Sequence, residues 1–120
     1  MSSARSAEEV IELYFERAWN ACEAELVREI CADPVTRHYA EKTVPMSHDE
    51  QIDRIRQRHA TNAPAFKAIV RTSDGTHVTT VWNNVYANGN KTCGIEVFKV
   101  VDGRITDVWN PLTIDKGNWA

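Results

Sequence analysis

Along the first half of the chain, apolar residues recur at steps of three and four; from Phe66 onward they alternate with polar ones. The first spacing predicts helices and the second predicts strands. A first helix is expected from Ala7 to Asn20, with Val10, Ile11, Tyr14, Phe15, Ala18 and Trp19 on its apolar face. Glu8 and Glu9 fall in its first turn, where the helix dipole favours acids. A second, short helix is expected from Glu23 to Cys31, stopped by Asp33-Pro34, because the residue before a proline is pushed out of the helical region. Val35 to Tyr39 reads as a short strand and Ala40 to Met46 as a loop. Ser47-His48-Asp49-Glu50 fits a capping box and starts a third helix, with Ile52, Ile55 and His59 on one face and Asn62-Ala63-Pro64 at its end.

Four period-two runs follow: Phe66–Thr72, Thr76–Ala87, Lys91–Val100 and Arg104–Ile114. Asp74-Gly75, Asn88-Gly89 and Asp102-Gly103 separate them and are strong hairpin signals. Two-residue turns at the first two, and a three-residue loop Val101-Asp102-Gly103 at the last, set an expected register. One sheet face then carries Phe66, Ala68, Val70, Val81, Val85, Phe98, Val108 and Leu112, with Asn83, Glu96 and Asn110 clustered around Gly94. The other carries Ile69, Trp82, Tyr86, Ile95, Val97, Ile105 and Trp109. A two-residue loop at the last turn would instead move every side chain of the last strand to the other face. Both faces are too apolar to be wet. One should hold the helices and the other should meet a second copy of the chain.

The chain has 120 residues, which suits one domain over 1–120. Its net charge of −3 argues against binding nucleic acid through phosphate contacts. No apolar run approaches the roughly 20 residues of a membrane span, and the first residues lack the apolar core of a leader. The expected location is therefore cytoplasmic. Cys22, Cys31 and Cys93 form no metal or disulfide pattern and read as reduced thiols. His48 and His59 lie three turns apart on one helix face, too far to share a metal, so no metal site is expected.

The stretch from Gly94 to Asn110, Gly-Ile-Glu-Val-Phe-Lys-Val-Val-Asp-Gly-Arg-Ile-Thr-Asp-Val-Trp-Asn, resembles the end of a SnoaL-like protein. These proteins belong to the nuclear-transport-factor-2-like superfamily, with ketosteroid isomerase, scytalone dehydratase and limonene epoxide hydrolase. The resemblance spans the whole chain. It implies an α+β cone in which three N-terminal helices pack on a curved antiparallel sheet around a pocket. It also implies a homodimer through the convex sheet face, here Trp82, Tyr86, Ile95, Val97 and Trp109. Tyr14 matches the position of the ketosteroid isomerase phenol, Glu96 that of its protonated carboxylic acid, and His38 falls near its carboxylate base. SnoaL-like cyclases commonly carry an acid after the tryptophan and another three residues later. This chain has Asn110 and Thr113 there. The Asp/Arg/Asp set that limonene epoxide hydrolase would need is missing from the strand positions.

Each candidate has a plainer alternative. Tyr14 can donate to a substrate oxygen or simply be a core phenol. His38 can act as acid or base, or be an ordinary strand histidine. Glu96 is costly on an apolar face unless it is protonated or paired, with Arg56 as one conceivable partner. Asn83 and Asn110 can orient a ligand or close a polar gap. His59 can reach the pocket rim or be a satisfied core histidine. Arg54, Arg56 and Arg58 read as a solvated helix side. The expected activity is a cofactor-free enzyme that moves a proton on a hydrophobic, oxygen-bearing small molecule, as an isomerase, cyclase or dehydratase does. Tyr14, His38, Glu96 and Asn110 are its candidate catalytic groups. Phe15, Trp19, His59, Phe66, Val81, Asn83, Phe98 and Leu112 are its candidate substrate contacts. The alternative is a non-catalytic binding or dimer-forming protein of the same fold.

Overall fold

The computed structural model describes residues 5–120, so the first four residues of the segment read for a leader lie outside it. Helix α1 (Ala7–Leu13) starts at a capping box that the apolar pattern alone does not reveal. Ser6 Oγ accepts from the Glu9 amide at 3.2 Å, and Glu9 Oε1 accepts from the Ser6 amide at 3.2 Å. From Tyr14 to Asn20 the same helix widens into a π-helical segment, which turns Tyr14, Phe15, Ala18 and Trp19 all into the interior. The expected second helix is shorter: a 3₁₀ turn Ala24–Leu26 runs into α2 (Val27–Ile30). Helix α3 (His48–Asn62) has the expected Ser47–Glu50 capping box.

Six strands form one sheet in the order β2-β1-β6-β5-β4-β3. They are β1 (Cys31–Tyr39), β2 (Lys42–Met46), β3 (Phe66–Ser73), β4 (His77–Val85), β5 (Lys91–Val101) and β6 (Arg104–Ile114). The architecture is α+β, with the helices on one sheet face. Two points correct the sequence reading. Residues 42–46 are a strand and not a loop: Glu41 takes a positive φ of 75° and lets Lys42 pair with Tyr39. Pro45 is tolerated there because β2 is an edge strand. The sheet is also not wholly antiparallel, since β1 runs parallel to β6.

The hairpin loops decide which residues face inward. The β4–β5 loop has three residues, Ala87-Asn88-Gly89, closed by Tyr86 N to Asn90 O at 2.8 Å, with Gly89 at φ 90°. The expected two-residue turn is therefore one residue too short, and β4 is flipped relative to the expectation. Val78, Thr80, Trp82 and Asn84 face the helices, whereas Val81, Asn83 and Val85 face out. The last turn has two residues rather than three, Asp102-Gly103, both at positive φ, and Val101 pairs with Arg104. A bulge at Thr106 restores the lost step, so Val108 still faces inward opposite Phe98. In β3 a bulge at Ile69 leaves Phe66 inward and Val70 outward, half exposed opposite Val81.

The core lies between α1, its π-helical extension, α3 and the inward sheet face. Val10, Ile11, Ile30, Ile52, Ile55, Val78, Phe98 and Ile105 are almost wholly buried in it. Asn20 pins the end of the π-helical segment to β3, donating Nδ2–H to the Phe66 carbonyl at 2.8 Å and accepting from the Phe66 amide at 2.7 Å. Gly94 sits opposite Trp82, whose indole lies across it. A Cβ at Gly94 would fall 2.5 Å from Trp82 Cζ2 and 2.6 Å from the Leu112 carbonyl oxygen. Gly94→Ala is therefore expected to cost about 1–3 kcal/mol by overpacking and to shift the tryptophan emission, read by denaturant titration and fluorescence. Unchanged stability and emission would mean that the Trp82 packing is not rigid.

Candidate active site

A cavity of about 170 Å³ opens between the π-helical segment, α3 and the inward face of β4, β5 and β6. Phe15, Trp19 and Phe66 form its aromatic wall, with ring centroids 5.7 Å apart in edge-on contacts. Trp82 joins them, 5.3 Å from Phe66. Pro64, Tyr86, Thr92, Thr113 and Asp115 complete the lining beside the charged groups described next.

Glu96 is the central polar group. It is 7% exposed and pairs across the ladder with Thr80. Burial pushes its carboxyl above the usual value of 4.5, and the nearby Arg37 and Arg54 cations offset only part of that effect. Arg37, 5% exposed, reaches Glu96 Oε2 through Nη2 at 3.5 Å, the far limit of a hydrogen bond. Its Nε has no partner, and neither do Thr80 Oγ1 and Trp82 Nε1. Tyr14 stands beside this group, its ring edge-on to Phe15 and Phe98 at 5.5 Å. Burial raises the Tyr14 phenol despite the attraction of Arg37 and Arg54, so it remains a protonated donor at neutral pH.

Of the residues singled out in the sequence, Tyr14, Phe15, Trp19, Phe66, Glu96 and Asn110 line this cavity. A bulge in β6 opposite Glu96 brings Asn110 there. Turned with its NH2 toward the backbone, the Asn110 amide donates to the carbonyls of Ile95 and Leu112 at 3.3 and 3.2 Å. Phe98 lies behind Tyr14 and Phe15, fully buried. Val81, Asn83 and Leu112 are on the opposite sheet face, for the register reasons given above. Asn83 there holds the C-terminal tail, accepting from the Trp119 amide at 2.7 Å and donating to its carbonyl at 3.0 Å. Trp82 and Tyr86, expected on the outer face, belong to the cavity instead.

His38 is also outside the cavity. It alternates with Arg37 along β1, so when Arg37 points in, His38 points out. Its ring stacks on Trp109 at 4.5 Å and its Nε2 pairs with Asp107 Oδ2 at 2.7 Å. Burial opposes the Asp107 charge, but hydrogen bonds from His38 and Thr106 hold this carboxyl below its usual range. His59 hydrogen-bonds the Trp19 carbonyl and ties α3 to the π-helical segment, without lining the cavity. His48 is half-buried, and its Nε2 bonds the Cys31 carbonyl at 2.7 Å.

Three cavity cations escaped the sequence reading. Arg37 was hidden by strand register. Arg54 and Arg58 were legible in principle: Gln51, Arg54, Ile55 and Arg58 form one stripe at helical spacing, and Gln51 and Ile55 in it are buried. Arg54 packs over the Trp19 ring at 5.5 Å, and Arg58 donates to the Tyr86 hydroxyl at 3.2 Å. Arg56 points away and pairs with Glu25 at 3.2 Å. Among the described residues no group of three or more His, Cys, Asp or Glu side chains is placed to hold a metal ion. No helix there is long and apolar enough to cross a membrane.

The backbone can be compared with solved structures. A proposed polyketide cyclase from Acidithiobacillus ferrooxidans superposes with a TM-score of 0.79 at 17% identity, covering 94% of this chain and 91% of that one. The chain has the SnoaL-like fold. A SnoaL-like polyketide cyclase from Agrobacterium tumefaciens matches with a TM-score of 0.74 at 15% identity, over 94% of this chain and 92% of its own. An LEH-like epoxide hydrolase from M. tuberculosis matches at 0.71 and 18% identity, over 85% and 78%. No protein-family model and no curated protein matches the sequence. These identities establish the SnoaL-like architecture and leave the chemistry to the side chains of this chain.

The Glu96 shift has a sign that can be measured. The folded state holds this proton more tightly than the unfolded chain, so its contribution to stability is fully present below pH 4.5 and is lost as pH rises through the raised value. Glu96→Gln removes the ionisation. The stability difference between variant and parent should therefore move in the variant's favour as pH climbs from 4.5 upward, followed by melting temperature against pH. Parallel curves would show that Glu96 ionises normally.

Proposed function

We propose that the protein is an enzyme of small-molecule metabolism that moves a proton on an oxygen-bearing substrate, in the manner of an isomerase, cyclase or dehydratase. The observation that carries this reading is Glu96, a carboxyl that burial makes hold its proton more tightly than usual, at the wall of an aromatic cavity and beside a cation. A neutral carboxylic acid can donate its proton to a substrate oxygen. The carboxylate left behind then faces Arg37 and Arg54, so the charge that develops is met by cations already in place. That carboxylate can in turn take a proton from a neighbouring C–H, completing an isomerisation or elimination. Tyr14 and the free Nε1–H of Trp82 are the further donors available to a developing oxyanion. His38 takes no part in this scheme, and Asn110 contributes by shaping the cavity.

Fold likeness supports the reading only by analogy, because this architecture hosts several reaction types. A direct test needs no substrate identity. A panel of enolisable ketones and β-hydroxy carbonyl compounds is incubated with the protein in D2O, and deuterium entering carbon is followed by NMR. Exchange above background is expected with at least one class, decreasing as pH rises through the Glu96 value. Glu96→Gln and Tyr14→Phe should each lower it by about 10²-fold or more. Ligand binding without exchange would favour the non-catalytic alternative.

We also propose that two copies pair through the outer sheet face. Ile69, Val70, Val85 and Leu112 are exposed there, next to the half-buried Val81, Ile95, Val97 and Trp109. Val97→Glu should shift the protein from dimer to monomer in light scattering after size exclusion; a parent that is already monomeric would overturn the pairing.

A further inference from the structure

The charge inside the cavity does not balance. Arg37 and Arg54 line its interior, against one buried carboxyl that is itself held toward neutrality, while Arg58 and Asp115 carry opposite charges at the exposed rim. Arg54 has no carboxylate within ion-pair distance among the described residues, although burial acts against its charge and Arg37 repels it. Arg37 is almost wholly enclosed, yet its one carboxylate partner is 3.5 Å away and its Nε meets nothing. A second buried donor, Trp82 Nε1, points toward Glu96 without reaching hydrogen-bond geometry. Buried donors without acceptors are rare and costly in native structures, and two guanidinium groups that line one cavity and repel each other favour an anionic ligand there.

The anion has a shape. A guanidinium presents a planar fork that matches a carboxylate. The rest of the wall is aromatic. A pocket of roughly 150 Å³ is enough for a benzene ring, and this cavity measures about 170 Å³. We propose that the ligand is a single-ring organic carboxylate, with its carboxylate between Arg37 and Arg54 and its ring among Phe15, Trp19 and Phe66. This deepens the acid–base reading and rests on the same cavity. It places the carboxylate so that the ring or side-chain carbon next to it lies toward Glu96 and Tyr14.

Isothermal titration with benzoate, cyclohexanecarboxylate, benzamide and inorganic phosphate tests it. Both carboxylates should bind at least about tenfold more tightly than benzamide, and phosphate should not compete with them. Arg54→Gln should abolish the preference for benzoate over benzamide while benzamide affinity stays the same; as a half-buried helix residue it is the variant least apt to disturb folding. Equal affinity for benzoate and benzamide, a preference that survives in Arg54→Gln, or phosphate binding as tight as benzoate would each overturn the proposal. The acid–base reading fails separately. Glu96→Gln should retain benzoate binding while losing deuterium exchange, so an anion preference without exchange sinks the catalytic reading alone. Glu96-dependent exchange without an anion preference sinks this inference alone.

Discussion

An arginine and a carboxyl set together in the middle of an apolar interior govern much of this structure. Arg37 reaches across from β1 to Glu96 on β5, under a roof made by the first helix and α3. At 3.5 Å and an effective dielectric of about 20, their attraction is worth about 5 kcal/mol. Removing each ion from water costs several kcal/mol even after relaxation. The pair therefore does not repay its own burial, and the carboxyl responds by holding its proton more tightly than usual. What keeps both groups inside is the apolar core around them, which includes Tyr14, Ile52, Ile55, Phe98 and Val108. The apolar core carries the cost, and the polar groups remain available for chemistry.

Local devices then aim side chains at that centre. The π-helical widening after Leu13 turns four residues of one helix inward over seven positions, where a regular helix would offer a narrower stripe. The Asn20 clamp brings Phe66 against Phe15 and Trp19. Gly94 leaves the space that the Trp82 indole occupies, and Trp82 in turn points its N–H toward Glu96. The β6 bulge offsets Asn110 so that it reaches the cavity opposite Glu96 while Leu112 stays on the outer face. Each device departs from regular helix or sheet geometry, and all of them converge on one pocket.

Shared architecture and private chemistry separate cleanly here. The SnoaL-like backbone is common to proteins described as cyclases and an epoxide hydrolase. Asn110 and Thr113 hydrogen-bond each other at 3.0 Å beside this cavity. The buried carboxyl of this cavity is Glu96, and arginines rather than a second buried carboxylate stand beside it. The outer face repeats the contrast: His38, Asp107 and Trp109 form a stacked, hydrogen-bonded group far from Glu96 in role, though His38 adjoins Arg37 in sequence.

The sequence by itself determined the helices, most strand limits and the α+β class, because apolar periodicity and capping residues act locally. It also marked Tyr14, Phe15, Trp19, Phe66 and Glu96 as neighbours of a pocket. Side-chain direction in the sheet was a tertiary matter. Asn88-Gly89 suits a two-residue turn, yet it serves here as the end of a three-residue loop, and that single residue moves Trp82 into the cavity and Val81 and Asn83 out of it. Two errors at Asp102-Gly103 and Thr106 cancel, which is why Val108 was placed correctly from a wrong turn. Strand β2 and the parallel β1–β6 pairing join segments far apart or too short to show a period. The arginine cluster depended on the same long-range pairing: Arg37 faces Glu96 only because β1 docks beside β6, and nothing in the local pattern of β1 distinguishes its inward side from its outward one.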